Sequence, residues 1–445
     1  MAKSKEHIEE LLKKQKVALE ELLQGLADYP ELAANETRLK SLIAKINRNA
    51  RKQNRAIQNE ITKADDAAKI ASTQLFQLND ERNQGKQLPS GDVEPKALKQ
   101  QKNCYICKEP YKNLHFFYHK LCPRCAAENY AARDQSVDLK GRIAFVTGGR
   151  IKIGFEIALR LLRWGAKVIV TSRFPVNARE AFESEADASN WIDRLEIVGL
   201  DLRNLQAVED LISSLNEKLP HLDIVIHNAA QTIKRPMAFY APLLAKEKDS
   251  FLLENKSSEL PALHSEFFPV GQTDLYGQQA DLRPKNSWMQ SLKEVSLMEM
   301  LEVQLVNVTA PFRINSALKS LLEKSPFDRK FIVNVSAMEG VFSREYKSPW
   351  HPHTNMAKAA LNMMTRTSAQ DYSRSGIYMT SVDTGWITDE NPAPKKERLR
   401  AKGFVPPLDV IDGAARVLAP IVNGINKEEI PDFGVFLKDY KVSPW

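Results

Sequence analysis

Residues 142–173 read RIAFVTGGRIKIGFEIALRLLRWGAKVIVTSR, and the order of residue types in this stretch decides the fold. Ile143 to Val146 is a short apolar run with β-branched residues, as a strand buried on both faces requires. Gly148, Gly149 and Gly154 follow at the turn into an amphipathic helix, and Val168 to Thr171 supplies a second strand. Such a turn lets backbone approach a pyrophosphate closely, and the helix start offers it unpaired N–H groups. A reader of a ribose 2′-hydroxyl needs a carboxylate at the end of the second strand; this chain has Ser172 and Arg173. An arginine suits a 2′-phosphate, so the expected cofactor is NADP(H) rather than NAD(H).

Working outward, strands are expected near 142–147, 167–171, 194–199, 223–227, 330–336 and 378–382, with a last one around 434–437. Alternating with helical segments, they predict an α/β fold with a doubly wound, Rossmann-like parallel sheet. Thr147-Gly148-x-x-x-Lys152-Ile153-Gly154 resembles the TGxxxGxG turn of the short-chain dehydrogenase/reductase family, with Lys152 for the middle glycine. Asp201-Leu202 resembles that family's adenine-holding pair, and His227-Asn228-Ala229-Ala230 its NNAG. Asn307 in LVNVTAPF, Val333 to Ser336, Lys358 in HTNMAKAALN and Thr384-Gly385-Trp386-Ile387-Thr388 follow in family order, the last similar to PGxxxT. The resemblance covers about 138 to 440. It implies a cofactor site made of Thr147, Gly148, Gly149, Arg150, Ile153, Gly154, Ser172, Arg173, Asp201, Leu202, Asn228, Ala229, Lys358, Thr384, Gly385 and Ile387.

The same resemblance implies a reaction. A tyrosine exchanges a proton with a carbonyl oxygen while the nicotinamide exchanges a hydride. A lysine four residues on holds the ribose, a serine orients the carbonyl, and an asparagine supports the proton relay. Positions i and i+4 share a helix face, so tyrosine and lysine can meet one ribose. Here the tyrosine position is Thr354 and the serine position is Ala337. Ser336 stands one residue early, where strand alternation aims it at the opposite face. Asn307 and Lys358 remain. An aliphatic hydroxyl is a far weaker acid than a phenol of pKa ~10. Three readings stay open. A substitute acid could serve: His351, which sits seven residues before Lys358 as the tyrosine does in enoyl reductases, His353, or Tyr346 further upstream. The substrate could need little protonation. Or the chain could bind NADP(H) without turning it over.

Between Asn228 and Asn307 the family has a short link, whereas here 79 positions separate them. An inserted segment at about 233–296 contains RPMAFYAPLL, EFFPVGQTDLYGQQ and NSWMQ. It follows a strand's C-terminal end, where open α/β sheets bind ligands. We expect a lid or substrate wall, or else a cover for another subunit. Lys234 and Arg235 suit an acidic substrate, or are simply solvated.

The front of the chain differs in kind. Residues 1–133 hold 24 Lys+Arg against 17 Asp+Glu, whereas 134–445 balance at 39 each. Residues 1–86 read as a helical, coiled-coil-like region. Ile8, Leu11, Leu12, Leu19, Leu22 and Leu23 form a stripe over 5–27, broken at Asp28-Tyr29-Pro30. A second helix is expected from Glu36 to about Arg82, with Leu39, Leu42, Ile43, Ile46, Ile57 and Ile61 on a seam. These helices suit a hairpin, self-association or a protein partner. Lys45, Arg48, Arg51, Lys52 and Arg55 form a basic face that nucleic acid could use, though a solvated face is favoured.

Residues 87–133 read as a linker, Gln87 to Pro95, and a module holding all four cysteines of the chain. Cys104-x2-Cys107 and Cys122-x2-Cys125 are two knuckles that can close on a structural Zn2+. Tyr111, Leu114, Phe116, Phe117 and Tyr118 between them suit a small core, and His115 and His119 are surplus to a completed four-sulfur site. The family-like domain is expected over 134–445. No run reaches the ~18 apolar residues of a membrane span, and no signal peptide opens the chain, so no membrane partner and a cytoplasmic location are expected. The sequence thus points to an atypical NADP(H)-dependent oxidoreductase of an unidentified carbonyl or alcohol. The alternatives are a cofactor-binding pseudoenzyme that senses or scaffolds through its front modules and, more weakly, a nucleic-acid-associated protein.

Overall fold

Apolar residues at three- and four-residue steps form two helices, α1 (Lys5–Asp28) and α2 (Thr37–Ala71). They are seen in a computed structural model that describes residues 4–33, 36–79, 96–247, 265–269, 271–274 and 276–445. The chain divides into two compact units, Met1–Ala68 and Lys69–Trp445. Ser4 starts α1 by accepting the His7 N–H at 3.3 Å. The stripe residues Ile8, Leu12, Leu19, Leu22 and Leu23 on α1 and Leu42, Ile46, Ile57 and Ile61 on α2 are exposed. So is the basic face of Lys45, Arg48, Arg51, Lys52 and Arg55.

The expected second helix ends earlier than the sequence suggests. The Ser72 and Thr73 hydroxyls bond back to the Lys69 and Ile70 carbonyls. The next amides, of Gln74 and Leu75, donate to the Phe116 and Phe117 carbonyls instead of continuing the ladder. A short helix α3 (Gln74–Leu78) follows. Arg82 and the expected linker 87–95 lie outside the described residues.

The cysteine module is an antiparallel hairpin, β1 (Ala97–Asn103) and β2 (Pro110–Asn113), followed by α4 (Pro123–Ala132). Leu98, Tyr111, Leu114, Phe117, Tyr118 and Leu121 form its buried core. That core is continuous with Ile387 and Leu408 from far along the chain.

The large sheet contains β3 (Ile143–Thr147), β4 (Lys167–Ser172), β5 (Leu195–Gly199), β6 (Ile224–His227), β7 (Lys330–Ser336), β8 (Ile377–Asp383), β9 (Phe436–Lys438) and β10 (Lys441–Ser443). Its order is β10-β9-β8-β7-β6-β3-β4-β5. All pairs are parallel except β9 with β10, an edge ribbon of three-residue strands too short to show a period in sequence. Along β3, Ala144 and Val146 join the core under α5 (Lys152–Arg163) and α13 (Val410–Asn426). Ile143 and Phe145 join the opposite core under α7 (Leu205–Lys218), α10 (Ala310–Glu323) and α11 (Pro352–Ser373). This alternation onto two apolar cores is why the strands read as unbroken apolar runs. The remaining helices are α6 (Pro175–Glu183), α8 (Met237–Lys246), α9 (Leu297–Gln304) and α12 (Ala393–Ala401). The chain winds from β3 out to β5, then returns to β6 on the other side of β3. A crevice opens at that switch point, beyond the strands' C-terminal ends.

Candidate cofactor site

The turn from β3 into α5 is built on close approach. A Cβ on Gly154 would stand 2.0 Å from the Gly148 oxygen and 2.3 Å from Asn228 Nδ2. Asn228 Nδ2 donates to the same Gly148 oxygen at 3.0 Å, tying the turn to the end of β6. Thr147 Oγ1 accepts the Ala229 N–H at 3.1 Å and does the same job one residue earlier. Gly149 packs the turn onto β4, where a Cβ would meet Val170 at 2.8 Å. Lys152 has φ of 55°, the left-handed conformation a glycine adopts freely. No side chain caps α5, so its first N–H groups are left for a ligand.

This helix start opens into a cavity of about 390 Å³. Gly148, Arg150, Ile153, Gly154, Ser172, Arg173, Asp201, Leu202, Asn228 and Ala229 line it, as their positions in the sequence suggested. So do Lys152, Phe174, Arg203, Lys234, Arg235, Tyr240, Glu302, Thr388 and Glu390. Thr147 and Gly149 support the turn from behind and are not part of the lining. Ser172 Oγ accepts the Phe174 N–H at 2.9 Å and shapes the end of β4. Arg173 donates to the Tyr240 hydroxyl at 3.0 Å and lies 4.7 Å from that ring's centre.

Cations crowd this end of the cavity. Arg150 bonds Asn177 at 2.9 Å. Burial, with Arg173 and Arg235 nearby, pushes its pKa down to about 10. Arg235 lies over the Phe239 ring at 4.2 Å, and its buried Nε has no hydrogen-bond partner among the described residues. Burial alone would push the Tyr240 phenol up, but Arg173 and Arg235 hold it below the usual phenol range. Burial likewise lowers the pKa of Lys152, against the pull of Glu390. Asp201 is occupied by Arg203, Oδ1 to Nε at 3.0 Å and Oδ2 to Nη2 at 2.5 Å. Arginines 150, 173 and 235 therefore gather into a positive pocket suited to an anion, with Glu247 and Glu390 as carboxylates nearby.

The insertion supplies much of this wall. Phe239 and Tyr240 of α8 pack with Phe268 and with Phe174 after β4. The aromatic content of the insert was the only sequence sign of Tyr240. Arg203 was signalled by its place just after Asp201-Leu202. Residues 248–264 of the insert lie outside the described residues.

The expected catalytic residues do not line this cavity, and Lys358, Asn307, Ser336 and His351 are turned to internal partners. Lys358 is buried and its Nζ donates to the Val335 carbonyl at 2.7 Å. Burial pushes its pKa down to about 8, partly opposed by Glu339. Asn307, on a π-helical turn Leu305–Thr309, accepts the Gln231 N–H at 2.7 Å and returns a 3.3 Å bond to the Gln231 carbonyl. It holds the backbone after β6. Ser336 does point away, toward α11, donating to Asn362 Oδ1 at 2.6 Å.

Thr354 is 3% exposed and its hydroxyl has no hydrogen-bond partner among the described residues. His351 caps α11 with φ of 43°, stacks on Trp288 at 3.9 Å and contacts Asn355 Oδ1 at 3.1 Å. His353 is buried with its Nε2 3.6 Å from Glu299 Oε1. Tyr346 is 72% exposed. None of these three lines the cavity: His351 is held by Trp288 and Asn355, His353 is buried with neither ring nitrogen hydrogen-bonded among the described residues, and the Tyr346 phenol faces solvent.

Thr384, Gly385 and Ile387 are also absent from the cavity lining. Gly385 and Ile387 are pressed against the cysteine module, Ile387 inside its core. A Cβ on Gly385 would meet Leu408 at 2.5 Å and lie 3.7 Å from the Tyr105 hydroxyl. Only the segment's later residues, Thr388 and Glu390, reach the cavity, joined by a 2.6 Å hydrogen bond. In the module the sulfurs of Cys104, Cys107, Cys122 and Cys125 lie within 4.8 Å of one another. His115 accepts the Phe117 N–H and His119 contacts the Val405 carbonyl, so neither joins the sulfurs. No described helix is long and apolar enough to cross a membrane.

Comparison with known proteins gives matches of three kinds. The family model for short chain dehydrogenase matches residues 142–245. An uncharacterized protein of Acanthamoeba polyphaga mimivirus is 34% identical over 337 residues, covering 72% of this chain and 71% of its own. An uncharacterized oxidoreductase of Bacillus subtilis is 25% identical over 305 residues, covering 68% of this chain and 93% of its own. Among solved structures, an NADPH-bound carbonyl reductase from chicken fatty liver is 20% identical, with 69% of this chain and all of that one covered, at a TM-score of 0.46.

Proposed function

The chain belongs to the short-chain dehydrogenase family, and from that premise we propose that it is an atypical NADP(H)-dependent oxidoreductase acting on an unidentified carbonyl or alcohol. The observation that carries this reading is the pocket of Arg150, Arg173 and Arg235 beside the uncapped start of α5. The buried Arg235 Nε lacks a partner among the described residues, and Arg150 is destabilised as a cation by burial and then by Arg173 and Arg235. Both effects are relieved by a bound phosphate. Gly148 and Gly154 leave room for the pyrophosphate, and the arginines suit the 2′-phosphate. Bound NADP(H) supplies the hydride chemistry. The chain's own residues bind it, orient it, and exclude water through the aromatic wall of Phe174 and Tyr240, which Phe239 backs. Lys358, one helical turn beyond position 354, stands where the family has its ribose-holding lysine, and its ammonium must leave the Val335 carbonyl to act there.

A second reading, binding without turnover, is favoured by the unpaired Thr354 hydroxyl and by the commitment of His351 and Lys358 to internal contacts. Titration of the full chain with NADPH, followed by fluorescence, tests the shared part; no change at high micromolar NADPH would end both readings. Profiling NADPH oxidation across carbonyl classes, with Lys358→Ala as control, separates them. Turnover lost in the variant supports the oxidoreductase. Tight binding with no turnover on any class supports the second reading. The exposed apolar stripes of α1 and α2 support self-association or a protein partner for the front region.

A further inference from the structure

The four-cysteine module has a geometry and a placement that together assign it a role. Four sulfurs bound tetrahedrally to Zn2+ at about 2.3 Å stand ~3.8 Å apart. Cys107 Sγ and Cys122 Sγ are 3.7 Å apart, and all four sulfurs fall within 4.8 Å of one another. The cysteines are free thiols rather than disulfides. The backbone is bent to serve them. Lys108 takes φ of 65°, and its N–H donates to the Cys104 carbonyl to close the first knuckle. The Cys122 N–H donates to Cys104 Sγ at 3.3 Å, and Cys122 begins α4 so that Cys125 sits on its first turn.

The placement is as informative. Tyr105 lies inside the first knuckle, and its hydroxyl accepts the Trp386 N–H at 3.0 Å. Lys120 Nζ donates to the Val405 carbonyl at 3.0 Å. Tyr118 donates to Asp412 at 2.5 Å, and Arg133 bridges Asp409 and Asp412 at 2.9 Å. Ile387 and Leu408 complete the core that also buries Cys104, Cys122 and Cys125. Thr388 and Glu390, a few positions beyond Trp386, line the cofactor cavity. A path of direct contacts thus runs from the cysteines through Tyr105 and Trp386 to the cavity wall.

We propose that Cys104, Cys107, Cys122 and Cys125 hold one structural Zn2+, and that this metal-centred module fixes residues 384–408 as a wall of the cofactor cavity. The zinc is closed and takes no part in chemistry, since four sulfurs complete its shell. Its effect on the cavity rests on the reading of that cavity as the NADP(H) site.

The test uses the full chain purified without chelator. Metal analysis is expected to find about one zinc per chain, as a closed four-sulfur site requires; less than half a zinc overturns the metal site. Zinc is then removed with a mercurial and chelator, and amide hydrogen exchange is followed. Faster exchange across 384–408, with strands 143–147 and 330–336 still protected, supports the proposal, and unchanged exchange across 384–408 overturns the wall. If removal unfolds the whole chain, Tyr105→Phe decides. With zinc retained, it should speed exchange at Trp386 about fivefold, the size of one lost hydrogen bond; no change there overturns the coupling. NADPH affinity measured on the same samples should weaken with zinc loss. If the unaltered protein fails to bind NADPH, the cofactor reading fails, while zinc content and exchange still judge this proposal on their own.

Discussion

Lys358 Nζ donates to the Val335 carbonyl at 2.7 Å from a fully buried position on α11. The amine is thus held by one neutral acceptor, with no carboxylate within ion-pair distance among the described residues. Burial lowers its pKa from 10.5 to about 8. An unfolded lysine titrates near ~10.4, so between pH 8 and that value the unfolded chain binds more protons than the folded one. Stability contributed by this group therefore rises with pH across that window and is flat outside it. Lys358→Met should stabilise the protein at pH 7 by about 2 kcal/mol, the charging cost less the lost hydrogen bond. Denaturant midpoints from pH 7 to 10.5 check this. Wild type and variant running parallel across the whole range would show that the amine is not strained.

The arginine pocket makes a prediction about cofactor choice. Removing Arg173 deletes a charge-assisted contact, so Arg173→Ala should weaken NADPH binding by about 10- to 100-fold and NADH binding much less. Arg235→Ala should act in the same direction. Affinities for both nucleotides, measured side by side, decide it. An equal loss for NADH would place these residues on the pyrophosphate or on structure instead of the 2′-phosphate.

Thr354 occupies the position where the family has its acid, yet its buried hydroxyl bonds to nothing described. Thr354→Val keeps the shape and removes an unsatisfied group, which should stabilise the fold by about 1 kcal/mol. Turnover should stay within a factor of two of wild type. A large fall in turnover with NADPH affinity intact would instead make this hydroxyl a participant.

At the turn itself two substitutions should act in opposite senses. Lys152→Gly relieves a left-handed residue at the start of α5 and should stabilise by about 1 kcal/mol. Gly154→Ala drives a methyl to 2.0 Å from the Gly148 oxygen. Backbone must move there, so a loss of several kcal/mol, or of NADPH binding, is expected. Thermal unfolding with and without NADPH reports both. A Gly154→Ala protein with unchanged melting and binding would contradict the close approach.

Much of the fold is legible in the residues because its physics is local. Apolar runs around Ile143, Val168, Ile224 and Val333 announced strands buried on both faces, and the observed strands fall within a residue or so of those expected. Gly154 and Asn228 were each singled out by residue type and place, but their meeting in the turn, where only a glycine tolerates the contact that Asn228 makes, is seen in the structure alone. The end of α2 was misread. What stops it is a pair of carbonyls, at Phe116 and Phe117, that no pattern within the helix encodes.

By itself, then, the sequence determined the doubly wound sheet, the glycine turn, the absence of the family's tyrosine and serine, and the pairing of the cysteines into knuckles. Periodicity, chain turns and residue identity are enough for those. Only the tertiary structure decided which side chains remain available. It put His351 under Trp288, His353 beside Glu299 and Lys358 on Val335, and it set Gly385 and Ile387 against the cysteine module. It also gathered Arg150, Arg173, Arg235 and Tyr240 around one cavity from separate segments. A hydrogen bond or an electrostatic field depends on distance in space, and residues far apart in the chain share no local signal that they will meet.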